Sequence, residues 1–251
     1  MSAPYLIRAA GTWSEGQVTA QWVASTRRAV AEVELQIDAT WIEASRRLGS
    51  NLFDGPMCRL ESCVAGTDRL HLRISPTSYK PFYGTNLARA AELYARYGED
   101  VLANPIGLSA VTQSTDGWLL LGRRNGSVAY YPNRIHPFAG SLEPSAGDRD
   151  VNVFDEMRRE LREELQLSAG DLVSLRCIGI AEDISLRQPE LIFHSVSSRA
   201  RREIEPMLVP QEHISLHAVN AHRGEVAAAM RDPNLTPIAA AALSLWRDLP
   251  D

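Results

Sequence analysis

The residues best suited to chemistry lie in one charged stretch, Phe154-Asp-Glu-Met-Arg-Arg-Glu-Leu-Arg-Glu-Glu-Leu165. On a helical wheel at about 100° per residue, Met157, Leu161, Phe154 and Leu165 form an apolar stripe. Arg158, Arg162 and Arg159 follow on one side, and Glu163, Glu156, Glu160 and Glu164 complete the circle. Helices held by solvated ion pairs place opposite charges at i and i+4. Here Glu156, Glu160 and Glu164 repeat at that spacing, as do Arg158 and Arg162, and each like-charged pair costs about 0.2–0.5 kcal/mol. The pattern is unfavourable until a cation joins it. Hard carboxylate oxygens on one face suit Mg²⁺, which takes few protein ligands, keeps waters and bridges to substrate phosphates. The plainer alternative is a solvated Glu/Arg face.

Other chemistries find less support. No G-x-S-x-G, P-loop or dinucleotide G-x-G-x-x-G occurs. His213 and His217 are spaced as helical metal ligands, but Ile214 and Leu216 alternate with Ser215 as in a strand. Cys58, Cys63 and Cys177 lack C-x-x-C spacing and read as free thiols of a reducing compartment. A net charge of -5 over 251 residues leaves no global basic field for nucleic acid. The longest aliphatic run, Ile238 to Leu243, is far short of the roughly 20 residues that cross a bilayer. Met1 to Gly11 also lacks a signal-peptide core. The expectation is a soluble cytoplasmic protein with a small-molecule ligand and neither a membrane nor a nucleic-acid partner. Oligomeric state is not legible.

The elements that must position the charged helix follow from periodicity. Trp22 to Leu48 carries helical spacing, and Cys58 to Val64 with Leu70 to Ile74 reads as a hairpin around Gly66-Thr67-Asp68. A segment with two prolines and three aromatics leads to helical spacing over Leu87 to Tyr97. From Pro105 the chain changes character. Ser109 to Ser114 and Trp118 to Arg123 flank Asp116-Gly117, and Asn125-Gly126 precedes a further strand at Val128 to Tyr131. A Gly-, Pro-, Ser- and Asp-rich loop, Phe138 to Asp150, enters the charged helix, predicted over Val153 to Leu167. Strands at Leu172 to Ile184, Leu191 to Val196 and His213 to Val219 follow, with a helical turn after Arg201 between the last two. Helices at His222 to Arg231 and Pro237 to Leu249 end the chain. This order predicts an α/β sandwich over 104–251, preceded by an α+β extension over 1–103.

Arg159-Glu160-Leu161-Arg162-Glu163-Glu164 matches the R-E-U-x-E-E core of the Nudix box, U being aliphatic. From about Pro105 onward the chain resembles the Nudix hydrolases, which implies an α/β/α sandwich with a mixed sheet. It departs from the full box in three places. Gly140 precedes Arg159 by 19 positions where the pattern has 14, Val151 stands at the acid position, and Gln166 stands at the closing glycine. Three segments, Leu52 to Pro56, Thr77 to Asn86 and Leu102 to Gly107, resemble those of the animal Nudix hydrolases of UDP-glucose and UDP-galactose, as does Gly140-Ser141-Leu142-Glu143-Pro144.

That resemblance implies cleavage of a UDP-sugar to UMP and sugar 1-phosphate, dependent on Mg²⁺ or its substitute Mn²⁺. It makes Glu160 and Glu164 metal ligands, with Glu163 the third carboxylate. Arg159 would orient a box glutamate, and Glu163 or Glu190 would serve as general base. Phe53, Tyr79, Lys80, Thr85, Asn86 and Gly140 become candidate substrate-binding residues. Two alternatives stand beside this reading: hydrolysis of ADP-ribose or a dinucleotide, and a non-catalytic nucleotide-sugar-binding module, which has no evident need of all three glutamates.

Overall fold

The computed structural model describes residues 3–49, 52–144 and 151–250. The chain opens with β1 (Tyr5–Trp13) and β2 (Val18–Trp22), then α1 (Ala31–Leu48) and the hairpin β3 (Pro56–Ala65) and β4 (Leu70–Ser78). A short α2 (Tyr79–Phe82), a π-helical turn over Tyr83–Leu87 and α3 (Ala88–Tyr97) follow. Next come β5 (Gly107–Gln113), β6 (Trp118–Arg124), β7 (Ile135–His136) and β8 (Phe138–Ser141), which lead into α4 (Val153–Leu165). The chain ends with β9 (Leu172–Asp183), β10 (Gln188–Ser197), α5 (Arg201–Ile204), β11 (His213–Asn220), α6 (Arg223–Ala229) and α7 (Pro237–Arg247).

The larger sheet has the order β1-β9-β10-β5-β6-β11, with β8 paired to β5 and β7 to β6. Its β10–β5 pair is parallel and its other pairs are antiparallel, so the sheet is mixed. Strand alternation feeds two cores, one on each face. Leu191 and Phe193 pack with Phe154, Met157, Leu161 and Leu165 of α4, whereas Ile192 packs with Ile238, Ala242 and Leu245 of α7. The expected α/β/α sandwich is therefore present. Asn152 caps α4, its side chain accepting from Phe154 N at 3.0 Å. Gln166 ends the helix at φ 54, the left-handed position that a closing glycine would occupy without strain.

Several elements differ from expectation. Val18 to Trp22 pairs in parallel with β4, Trp22 opposite Ile74, so the helix expected from Trp22 begins only at Ala31. Val128 to Tyr131 forms no strand but a run of bends that ends in the left-handed conformation of Tyr131. The loop expected over 138–150 begins as β8, and its residues 145–150 lie outside the described residues. Strand β1 carried no clear period. It forms the edge of the larger sheet and buries Trp13 completely.

The boundary expected at 103/104 is crossed by both a sheet and a core. Cys58, Leu60, Leu70, Leu72 and Ile74 share one cluster with Leu108 and Phe154, and Ile106 N bonds to Cys58 O at 2.8 Å. The second, three-stranded sheet, β2-β4-β3, packs against the first in this way. Among the described residues no helix is long and apolar enough to cross a membrane.

Asn86 joins these parts. Its Oδ1 accepts from Ala103 N at 3.1 Å and Asn104 N at 3.2 Å, and its Nδ2 donates to Leu186 O at 2.9 Å. Asn86→Ala strands these buried groups and should cost about 2–4 kcal/mol. Urea unfolding checks this as a lowered midpoint at constant slope; an unchanged midpoint would remove Asn86 from the scaffold.

Candidate active site

The α4 wheel explains which carboxylates enter the protein. Glu160 and Glu164 border the apolar stripe at Met157, so packing the stripe against the sheet takes both into the interface, each 8% exposed. Glu156 and Glu163 lie farther round and remain more accessible. Gly140 makes the seat for Glu160, since a Cβ there would lie 2.1 Å from the Glu160 carboxylate. Arg159 donates to Glu160 at 2.6 Å, to Glu163 at 2.9 Å and to Glu156 at 3.0 Å. Glu164 accepts from Ala139 N at 2.9 Å and lies 2.8 Å from His213 Nδ1. His213 is itself buried edge-on to Phe138. Burial pushes the Glu160 carboxyl up to about 7, with repulsion from Glu164, Glu163 and Glu212 adding to it and Arg159 opposing.

Glu190 enters the same cavity from β10. It is 3% exposed and accepts from Ser109 Oγ at 2.5 Å. Gly107, its partner across the parallel pair, has no Cβ to collide with it. Burial raises this carboxyl to about 7, with Asp183 adding and Ser109 and Arg124 opposing. The cavity, about 430 Å³, is lined by Glu160, Glu163 and Arg159 of α4, by Gln188 and Glu190 of β10, and by Tyr79, Arg124, Tyr130, Gly140 and Glu212. A neighbouring cavity of about 790 Å³ shares Tyr79, Val128, Ala129, Ser141 and Glu143 with it and adds Phe53, Tyr83 and Arg47.

The structure divides the candidate residues. Glu160, Glu163, Arg159, Glu190, Gly140 and Tyr79 line the first cavity, while Phe53 and Tyr79 line the second. Glu164 lines neither cavity, and both its carboxylate oxygens are engaged by the protein. Lys80 lines neither cavity and pairs with Asp38 at 2.6 Å. Thr85 and Asn86 are buried and spend their polar groups on the protein itself. Glu182 pairs with Arg8 and Arg187, and Asp183 receives Tyr131 and Ser185.

Sequence reasoning missed Arg124, Tyr130, Gln188 and Glu212. The Arg123-Arg124 pair beside the Asn125-Gly126 turn, and the acid preceding His213, were the available signals. Neither shows that β6 and β11 meet with Arg124 opposite His213.

The donor set fits a divalent cation in its chemistry, because burial strips water from the Glu160 carboxylate and Glu164, Glu163 and Glu212 add repulsion to it, with Arg159 opposing. Among the described residues no three His, Cys, Asp or Glu side chains converge as a metal group. A cation there would therefore take further oxygens from water and substrate, as Mg²⁺ does. Glu160 and Glu163 line the cavity, and Glu164 does not.

Glu190 also makes stability depend on pH. Its folded-state pKa lies above the ordinary 4.5, so its contribution is present below about 4.5 and is lost as pH rises through about 7. Glu190→Gln keeps an acceptor for Ser109 and should stabilise the fold by about 2–3 kcal/mol at pH 8, with little gain near pH 4.5. Thermal unfolding of both proteins across this range checks it; a difference independent of pH would show that Glu190 ionises freely.

No family profile matches the chain. Uridine diphosphate glucose pyrophosphatase NUDT22 of Bos taurus is 29% identical over 198 residues, 68% of this chain and 68% of that protein. The protein of that name from Homo sapiens is 31% identical over 135 residues, 49% of this chain and 44% of the relative. Nudix hydrolase 9 of Arabidopsis thaliana is 25% identical over 206 residues, 69% of this chain and 66% of the relative. The matched stretches thus span 44% to 68% of these relatives' lengths. With the Arg159 to Glu164 box on α4, these relatives support a resemblance to the Nudix hydrolases and, among them, to the UDP-sugar hydrolases.

Proposed function

We propose that the chain is a Mg²⁺-dependent pyrophosphohydrolase that cleaves UDP-glucose or UDP-galactose to UMP and sugar 1-phosphate. The observation that carries the reading is one cavity containing two buried carboxyls near pKa 7, Glu160 and Glu190, supplied by a helix and a strand. The aromatic-walled cavity beside it adds room for a base. The names of the mammalian relatives point to the same substrate class.

The diphosphate repels an attacking water; Glu160 and Glu163 would hold Mg²⁺, which would supply neutralisation of that charge. The chain's residues do the rest. Arg159 fixes Glu160 and Glu163 by donating to both. Glu190 receives the proton of the attacking water, since a base near pKa 7 is half ionised at neutral pH and still a good acceptor. Of the two base candidates it is favoured over Glu163, which is exposed and bonded to Arg159. Water adds to phosphorus, the P–O–P bridge breaks, and UMP and sugar 1-phosphate leave.

Residues 1–103 supply recognition through Tyr79 and Phe53, whose rings offer faces for uracil, and 104–251 supply the catalytic framework. Gly140 contributes by admitting Glu160 rather than by a side-chain contact. The three cysteines are free, in keeping with a reducing cytoplasm.

Product analysis with UDP-glucose, UDP-galactose, ADP-ribose and dinucleotides, with and without Mg²⁺, tests the reading. UDP-sugars should be cleaved to UMP, and chelation should abolish turnover. Preference for ADP-ribose would transfer the assignment to that substrate, and no turnover with any of them would leave a binding module. Glu160→Gln should lower kcat by about 100-fold or more while leaving the fold intact. Arg159→Lys should also impair turnover, because one ammonium cannot replace a fork that reaches three carboxylates. Exposed Arg162 is the control, and equal losses in Arg159→Ala and Arg162→Ala would reduce the effect to general helix electrostatics.

A further inference from the structure

Arg124 closes β6 with a side chain that the fold buries but does not use. The residue is 3% exposed, and its Nε has no hydrogen-bond partner. Among the described residues its guanidinium takes part in no ion pair. Its neighbour is the ring of Tyr130, whose centroid lies 4.7 Å from Cζ. Buried guanidiniums ordinarily meet a carboxylate, because desolvating the charge without a partner is costly. Acids are close by. Glu190 and Glu212 both feel the charge of Arg124, but Glu190 accepts from Ser109 instead. His136, also buried nearby, adds no negative charge and is bonded to Thr236.

Contact with the Tyr130 ring supplies the guanidinium with no hydrogen-bond acceptor, so Nε remains open to a planar acceptor that matches the fork. That atom belongs to a residue lining the first cavity, which also holds Glu160 and Glu163. The missing partner is therefore an anion that enters the cavity, tolerates carboxylates through a bridging cation, and presents paired oxygens to a fork. Phosphate oxygens meet all three requirements.

We infer that Arg124, seated on Tyr130, is a binding residue for a phosphate of the substrate's diphosphate, opposite in charge to the carboxylates of the same cavity. This rests on the reading of that cavity as a diphosphate site but does not require the uridine or the sugar. Arg124 supplies the fixed positive charge that Arg159, bonded to three glutamates, cannot offer.

Methylenediphosphonate, a diphosphate that cannot be cleaved and carries no base or sugar, is the probe, with uridine as the phosphate-free control. Calorimetry in Mg²⁺ should show Arg124→Gln weakening methylenediphosphonate by about 10- to 100-fold while uridine affinity is unchanged. Arg124→Lys should recover only part of the loss, because it keeps the charge without the fork. Equal affinity of the wild type and Arg124→Gln for the probe would overturn the inference, as would a wild type that does not bind it. If both variants fail to fold, the ¹⁵Nε–H resonance of Arg124 in the wild type should shift on titration with the probe, and a resonance that stays fixed would overturn the inference equally. Wild-type protein that binds the probe through Arg124 yet cleaves no UDP-sugar would refute the proposed substrate alone. Cleavage of UDP-glucose with undiminished probe binding in Arg124→Gln would refute the role of Arg124 alone.

Discussion

Two glutamates one helical turn apart, both pressed into the seam between a helix and a sheet, are the constraint around which this protein is arranged. Glu160 and Glu164 lose water together and repel one another, and the surroundings answer each differently. Glu164 receives a backbone N–H and a buried histidine, which fixes its position. Glu160 receives one arm of an arginine shared with two other glutamates and keeps an elevated proton affinity. The first arrangement anchors the helix to β8 and β11; the second leaves negative charge at the cavity for something else to neutralise. The anchor and the candidate site thus come from the same stretch of sequence, divided by how each carboxylate is satisfied.

The mixed sheet makes the rest of the cavity. Its parallel β10–β5 pair sets Glu190 opposite Gly107, the one residue type that leaves room for a carboxyl there. Antiparallel pairing of β11 with β6 brings Arg124, Glu212 and His213 together at one end. The cavity therefore contains acids of different exposure and hydrogen bonding together with a buried cation. Such a distribution suits a ligand that carries negative charge and arrives with a metal, whereas an apolar ligand would leave it unsatisfied.

The first hundred residues complete this framework as well as extend it. Strand β1 closes the edge of the larger sheet, and β3 and β4 contribute side chains to the core beneath α4. The aromatic cluster of Trp41, Tyr79, Phe82 and Tyr83 then holds Tyr79 where the two cavities meet. Lys80, Thr85 and Asn86 come from the same segment but serve the protein internally, through an ion pair with Asp38 or bonds to buried backbone. The segment therefore presents its rings to the cavities and turns its amides and hydroxyls inward.

What the sequence determined by itself is what a few consecutive residues encode. The apolar stripe of α4, the segregation of its charges, the β3–β4 and β5–β6 hairpins and the period of the late strands were legible because side chains at i+2, i+3 and i+4 are neighbours in any strand or helix. Wheel position placed Glu160 and Glu164 beside the buried stripe. Tertiary structure decided matters that no local period records. Val18 to Trp22 became a strand because β4 was available to pair with it, and β1 because β9 needed an edge partner. Thr85 and Asn86 look like ligand-binding groups in a segment rich in proline and aromatics, yet polar groups also satisfy buried backbone, and only packing chooses between those uses. Arg124 and Glu212 joined the site through the pairing of strands distant in sequence. That pairing is selected by the burial of the whole core, a sum over many distant contacts that no short stretch of residues contains.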